Sequence, residues 1–298
     1  MNDTRFNPRV LPMSAAGQPG PGVAHSLTGN GRTERLEQIA REIRISIVHT
    51  IAAPRMGHIG GDFSVTDILV TLFFDVMRYR AEEPDWSGRD RFILSKGHCS
   101  AALYSVLARA GYFSPDLLPT FMAPLSVLNG HPNRRKVKGV EANTGPLGHG
   151  LPIAVGSAVA ATISKSDYRT FVVLGDGELQ EGSNWEAAMF AGHRGLAGLT
   201  AVVDRNRLQQ GARTEDTNSL EPLGDKWRAF GWEVMEVDGH DHAALLEAFE
   251  SPRIGKPRVL IANTRKGKGV SFIEDRVEWH HKVPSADQMI LALEELAR

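Results

Sequence analysis

Phe171-Val172-Val173-Leu174-Gly175-Asp176-Gly177 and, further on, Ala201-Val202-Val203-Asp204-Arg205-Asn206-Arg207-Leu208 are the two runs that decide the architecture. Thr170 to Leu174 and Leu199 to Val203 are short, apolar and rich in β-branched residues, which predicts buried strands. Ser183 to Gly192 between them, with Trp185, Ala188 and Met189 on one face, predicts a crossover helix. Strand, helix and strand make a βαβ unit, so the two strands lie parallel and their carboxyl ends share one edge. Asp176 and Asn206 then face one crevice, where open parallel sheets bind their ligands. Gly175 and Gly177 permit a tight turn whose N–H groups can meet phosphate oxygens. One carboxylate and one amide oxygen are too few for a caged calcium ion but suit magnesium, which completes its shell with phosphate and water. The stretch therefore predicts a magnesium-diphosphate site on an α/β fold, an open and mostly parallel sheet with helices on both faces.

Composition narrows the field. The chain of 298 residues can bury a large core, and its 34 basic against 35 acidic residues leave a net charge of -1. Such a balance gives no electrostatic footprint for nucleic acid. Cys99 is the only cysteine, so no internal disulfide forms, in keeping with a reducing compartment. No apolar run approaches the roughly eighteen residues a membrane span needs, and no signal core opens the chain. A cytoplasmic protein that contacts no membrane is the expectation.

Residues 1–31, rich in Pro, Gly, Ser and Asn, lack any period and predict a disordered or draped tail. A helix follows from near Thr33, with Leu36, Ile39, Ala40, Ile43 and Ile47 on one face, and stops before Pro54. Pro54 to Gly61 predicts a loop holding His58, with Ser64 and Asp67 as the cap of the next helix. Asp90 to Ser95 predicts a strand, Lys96-Gly97-His98-Cys99-Ser100 a turn, and Leu151 to Ser164 a helix of small residues. Later, Trp232 to Val237 and Arg258 to Ala262 predict strands, Asp241 to Glu250 and Ser285 to Leu296 helices, and Arg213 to Leu223 a polar loop. Lys266-Gly267-Lys268-Gly269 lacks the full P-loop spacing and reads either as a flexible lid or as a plain surface loop. The basic run Arg134 to Lys138 predicts a solvated face, and Cys99 a packing residue.

Gly175-Asp176-Gly177, with Asn206 thirty positions after Asp176, resembles the thiamin-diphosphate motif, and its surroundings resemble the N-terminal part of transketolases. The likeness spans about residues 33 to 284. It implies a thiamin-diphosphate-binding fold over residues 32–298, the diphosphate domain, and thiamin diphosphate with Mg2+ as cofactors. It implies cofactor contacts from His98 in a Ser-x-Gly-His-x-Ser run, and from Gly145, Pro146 and Leu147, Gly175, Asp176 and Gly177, Glu181, Asn206 and His280. Metal ligation falls to Asp176, Asn206 and Leu208. His58, His131 in Gly130-His131-Pro132 and His280 inherit substrate-contacting or proton-transferring roles. His280 aligns best with the family's late histidine, and His281 is its unassigned neighbour. His149 stands where the long enzymes carry glutamine, either as an added proton carrier or as a different hydrogen bond.

The resemblance covers the diphosphate domain alone. In the family a second domain supplies the glutamate that activates the aminopyrimidine, and no candidate for it follows Arg298. The expectation is a split transketolase resembling small N-terminal subunits, the apulose 4-phosphate type among them. A separate partner chain would carry the pyrimidine-binding and C-terminal domains in an α2β2 assembly, with sugar phosphates as substrates. The reaction implied moves a two-carbon ketol unit from a ketose to an aldose. Rival expectations are an α-type subunit of another thiamin-diphosphate enzyme, such as deoxyxylulose phosphate synthase or a 2-oxo acid dehydrogenase, and a non-catalytic subunit that binds cofactor or partner.

Overall fold

The computed structural model describes residues 30–298, so most of the tail expected over 1–31 lies outside the described residues. The first helix, α1 (Asn30–Ala52), buries Leu36, Ile39, Ala40, Ile43 and Ile47 as its period predicts. Next comes α2 (Ile59–Thr71), every residue of which is buried, and which runs on through a π-helical turn, Leu72–Val76. The loop expected up to Gly61 therefore ends at His58, and Ser64 lies inside the helix instead of capping it. The glycines misled the reading because they serve packing. A Cβ at Gly60 would lie 2.8 Å from the Trp279 carbonyl oxygen, and one at Gly61 2.8 Å from Cys99 Sγ. Asp67, the other half of the expected cap, is buried against the Arg44 guanidinium at 2.6 Å.

Among the described residues, five strands follow the expected order: β1 (Arg91–Leu94), β2 (Thr170–Gly175), β3 (Leu199–Arg205), β4 (Glu233–Asp238) and β5 (Arg258–Asn263). They form one sheet in the order β1-β2-β3-β5-β4, and every pairing is parallel. The connections are α3 (Ser100–Arg109) and α4 (Gly150–Ser164) before β2, then α5 (Gly182–Arg194) before β3. Two short helices, α6 (Thr214–Thr217) and α7 (Leu223–Ala229), precede β4; α8 (His242–Glu250) precedes β5, and α9 (Ala286–Leu296) closes the chain.

Period-two alternation divides the core in two. Phe171, Val173, Val202 and Leu260 pack with α1, α2, α3 and α8 on one face of the sheet. Val172, Leu174, Ala201 and Val203 pack with α4, α5 and α7 on the other. In α5 the buried positions are Asn184, Ala187, Ala188 and Ala191, while Met189, expected on the face with Trp185 and Ala188, is 56% exposed. The segment expected as a polar loop at Arg213 to Leu223 contains α6 and folds round a charge. Buried Arg205 donates to Thr214 Oγ1, Glu215 Oε1 and Glu221 Oε1 at 2.7–2.8 Å. Among the described residues, no helix is long and apolar enough to cross a membrane.

Candidate active site

The carboxyl ends of β1, β2 and β3 open into a cavity of about 610 Å³, within the size range of small-molecule sites. Its floor is ionic. Lys96, just past β1, donates to Asp204 Oδ2 at 2.5 Å, and both side chains are almost wholly buried. Ser64 Oγ of α2 also donates to Asp204 Oδ2, at 2.6 Å, and Thr264 Oγ1 donates to Asp204 Oδ1. Burial opposes the charge on Lys96, but the Asp204 carboxylate outweighs it, so the lysine holds its proton above the ordinary value. Glu178 is a second buried hub, accepting from Gly175 N and Gly148 N at 3.0 Å and from Ser95 Oγ. Burial pushes its carboxyl up.

The strand ends present the oxygens expected of them. Asp176 Oδ1 accepts from Gly177 N at 2.8 Å, and Oδ2 from Arg207 N at 2.5 Å and from Arg205 at 3.2 Å. Asn206 Oδ1 accepts from Leu208 N at 3.1 Å. These backbone donors hold both side chains in place, and Asp176, Asn206 and Leu208 all line the cavity. Burial, then the nearby Asp204 charge, push the Asp176 carboxyl up against the pull of Arg205.

Histidines form a second wall. His58 stands at the N-cap position of α2, His98 in the turn before α3, and His280 just after a 3-10 turn, Val277–Trp279. Their ring centroids lie 5.2 Å (His58 to His98), 5.6 Å (His58 to His280) and 5.5 Å (His98 to His280) apart. His131 lines the same cavity but is exposed at its rim. Burial first, then neighbouring histidines and lysines, lower the affinity of His58, His98 and His280 for protons, to about 4 for His58 and about 3 for His280, with His98 well below its ordinary value. All three are neutral near pH 7.

Gly145 and Leu147 line the cavity, whereas Pro146 between them is exposed and outside the lining. Glu181 lines it from the exposed N-cap position of α5, without a capping side-chain bond. His149 is outside the lining, exposed at the start of α4, and its Nδ1–H donates to the Leu147 carbonyl at 2.9 Å. Cys99 is fully buried.

Lys266 corrects both readings of its loop. The side chain is 1% exposed, and its Nζ donates to the Leu208 carbonyl at 3.2 Å and to His280 Nδ1 at 2.8 Å. An ammonium only donates, so His280 carries its ring proton on Nε2. Burial, then Lys96, lower the Lys266 ammonium to about 8. The loop is pinned: Gly267 N donates to Gly60 O at 2.9 Å, and Gly267 sits at φ +77 with no room for a Cβ beside Ile273. Lys96, Lys266 and Glu178 therefore line the cavity, with Asp204 paired beneath Lys96, and sequence reading missed all four. The one signal for Lys96 and Asp204 was a charge directly after an apolar strand, and nothing local marked Glu178.

Residues 36–295 match the family described as transketolase, thiamine diphosphate binding domain. The chain belongs to that family. Two bacterial apulose-4-phosphate transketolase A subunits are close relatives along nearly their whole length. The one from Actinobacillus succinogenes is 49% identical over 265 residues, covering 88% of this chain and 96% of that protein. The one from Phocaeicola vulgatus is 44% identical over 268 residues, covering 89% and 95%. Among solved structures, transketolase from Campylobacter jejuni superimposes with a TM-score of 0.83 at 30% identity, over 89% of this chain and 43% of that one. The all-parallel sheet flanked by helices is thus the fold of transketolase N-terminal domains, and the chain spans under half the length of that solved enzyme.

The cavity fits the family's ligand. A Cβ at Gly175 would meet nothing closer than 3.8 Å, so the absent side chain leaves room on the floor beside Lys96 and Glu178. Gln209 Oε1, on a cavity-lining residue, is buried without a hydrogen-bond partner among the described residues. Buried Lys266, which donates to Leu208 O and His280 and not to a carboxylate, supplies positive charge for a diphosphate, and Asp176, Asn206 and the Leu208 carbonyl supply oxygen, the donor chemistry of magnesium.

Proposed function

We propose that this chain is the N-terminal subunit of a split transketolase, with residues 32–298 as its diphosphate domain. The observation that carries the reading is one cavity lined together by Asp176 and Asn206 at two parallel strand ends, by His58, His98 and His280, and by two buried lysines. His98, Gly145, Leu147, Gly175, Gly177, Glu181 and Lys266 would hold thiamin diphosphate, and Asp176, Asn206 and the Leu208 carbonyl its Mg2+. The cofactor, when bound, supplies the carbanion and electron sink that cleave a ketose beside its carbonyl. The chain's own part is to manage protons and orientation.

Neutral His58 can accept a hydroxyl proton at neutral pH, whereas His280, its Nδ1 taken by Lys266, can donate from Nε2–H, and His131 at the rim can donate to a sugar oxygen. Lys266 fixes which nitrogen of His280 bears its proton. The partner would be a second polypeptide carrying the pyrimidine-binding and C-terminal domains, in an α2β2 assembly. Supporting this, the two apulose-4-phosphate relatives are each named as one subunit of their enzyme and match this chain nearly end to end. Exposed Ile153 on α4 and Met189 and Phe190 on α5 offer apolar surface to such a partner. Sugar phosphates are the proposed substrates, and a cytoplasmic setting accompanies them because such anions do not cross a bilayer unaided.

Purification with thiamin diphosphate and Mg2+ tests the reading. Ketol transfer should be negligible for the chain alone and restored by a co-purifying second chain. Full activity without a partner would refute the split, and decarboxylation of a 2-oxo acid by the assembly would move the chain to the dehydrogenase class.

A further inference from the structure

His281 is the one histidine of the cavity to which the family resemblance assigns nothing, yet the structure gives it a specific partner. Its Nε2 lies 3.0 Å from His58 Nε2, with the ring centroids 4.1 Å apart and the planes tilted by 56°. The two consecutive histidines diverge, for His280 turns its Nδ1 to Lys266 while His281 turns to His58. A hydrogen bond between two imidazole nitrogens needs one N–H and one lone pair, so at this distance the facing nitrogens share a single proton. His281 is exposed and His58 is half-buried, so the pair runs from the cavity to solvent.

We propose that His281 is the proton-carrying partner of His58, the two rings forming a relay between a substrate hydroxyl and bulk water. The proposal rests on the reading of His58 as a proton-managing group. In the forward direction His58 begins with its proton on Nε2, bonded to His281 Nε2, and with a bare Nδ1. A substrate O–H bond breaks and an Nδ1–H bond forms on His58. The His58 Nε2 proton passes to His281 Nε2, and the His281 Nδ1 proton leaves to water. One proton is lost by the substrate and one is gained by water, and each ring ends neutral with its tautomer exchanged. The reverse sequence returns a proton.

The surroundings favour a relay of neutral rings over a standing imidazolium. His58 is faced by His98 from the turn before α3, by His131, by His280 and His281 from the segment after β5, and by the Lys96 and Lys266 ammoniums. Each of these cations or potential cations makes a lasting positive charge on His58 costly, and passing the proton outward removes it.

The test uses His281→Gly and His281→Gln in the full chain assembled with its partner, with ring 15N spectra of the full chain recorded alongside. The glycine variant should lower kcat by roughly 100-fold with little change in KM, and free imidazole should restore part of the loss. Glutamine can bond to His58 but cannot pass a proton, so it should not restore kcat. The His58 15N shifts should move in both variants. Wild-type kcat and pH profile in either variant would overturn the relay, the glutamine result by reducing His281 to a brace. If the wild-type assembly itself transfers no ketol unit, the proposed function fails instead. The spectra then decide the pairing: His58 shifts that move keep it, and unmoved shifts remove it.

Discussion

The two walls of the cavity are built differently. The strand-end wall, Lys96, Asp176 and Asn206 above the buried Asp204, follows β1, β2 and β3, and its groups are nearly all buried in ion pairs and backbone hydrogen bonds. The histidine wall, His58, His98, His131, His280 and His281, is carried by turns and helix starts far apart in the chain, and its groups face the cavity. The difference separates groups locked into the fold from groups left facing the cavity for the proposed chemistry. A charge buried in a sheet edge cannot be removed without leaving its partner unpaired, whereas a ring projecting from a turn can.

The largest effect tests the first wall. Lys96→Met strands the Asp204 carboxylate in the interior and should cost about 3–5 kcal/mol of stability, read from the urea midpoint. An unchanged midpoint would remove the division between the walls. His58→Ala tests the second: ketol transfer by the assembled enzyme should fall about 100-fold or more, with stability within about 1 kcal/mol of the parent. A large loss of stability there would show that the histidines are as structural as the floor.

Gly150→Ala probes how closely the floor is packed. A Cβ at this first residue of α4 would lie 2.2 Å from Ser95 Oγ and 2.6 Å from Ser95 Cα, so overpacking should cost roughly 1–3 kcal/mol. A neutral result would mean that α4 can move off the strand end.

Two opposed pH effects refine the comparison further. The unfolded chain protonates its histidines near the ordinary value of 6.5, but folded His58 and His280 resist until about 4 and about 3, so stability should fall as pH drops below about 6.5. Asp62, buried in α2 beneath the histidine wall, runs the other way. Burial pushes its carboxyl up to about 7, so the folded state keeps a proton that the unfolded chain releases near 3.8, and stability should fall as pH rises from about 4 to about 7. Asp62→Asn retains an acceptor for Ala102 N and should raise stability at pH 8 by about 1 kcal/mol. Urea midpoints at pH 5 and pH 8 for parent and variant check both signs.

How much of this was legible in the sequence follows the same division. The strand-end wall was readable because its strands are short apolar runs and its chemistry follows them directly, so Asp176 and Asn206 could be placed from the βαβ pattern alone. No period marks the histidine wall. His58, His98, His131 and His280 were singled out by resemblance, and only the folded chain brings His58, His98 and His280 within 6 Å, ring to ring. Pairings across long separations stayed invisible. Lys96 and Asp204 lie 108 positions apart, and the Lys266 segment read as a flexible lid or a plain surface loop because its glycines suggested mobility, when Gly267 in fact packs against Gly60 and Ile273. Glycine misled at α2 as well, where Gly60 and Gly61 permit close packing inside a helix.

The central claim is that Asp176 anchors a magnesium-diphosphate ligand on the strand-end wall, and calorimetric titration tests it most directly. Thiamin diphosphate is titrated into the chain with its co-purified partner, with and without Mg2+, for the parent and for Asp176→Ala. The parent should bind only with the metal; the variant, less stable because Gly177 N and Arg207 N lose their acceptor but still folded with Arg205 held by Glu215 and Glu221, should bind at least about 100-fold more weakly. Equal affinity in the two proteins, or parent binding indifferent to Mg2+, would contradict it.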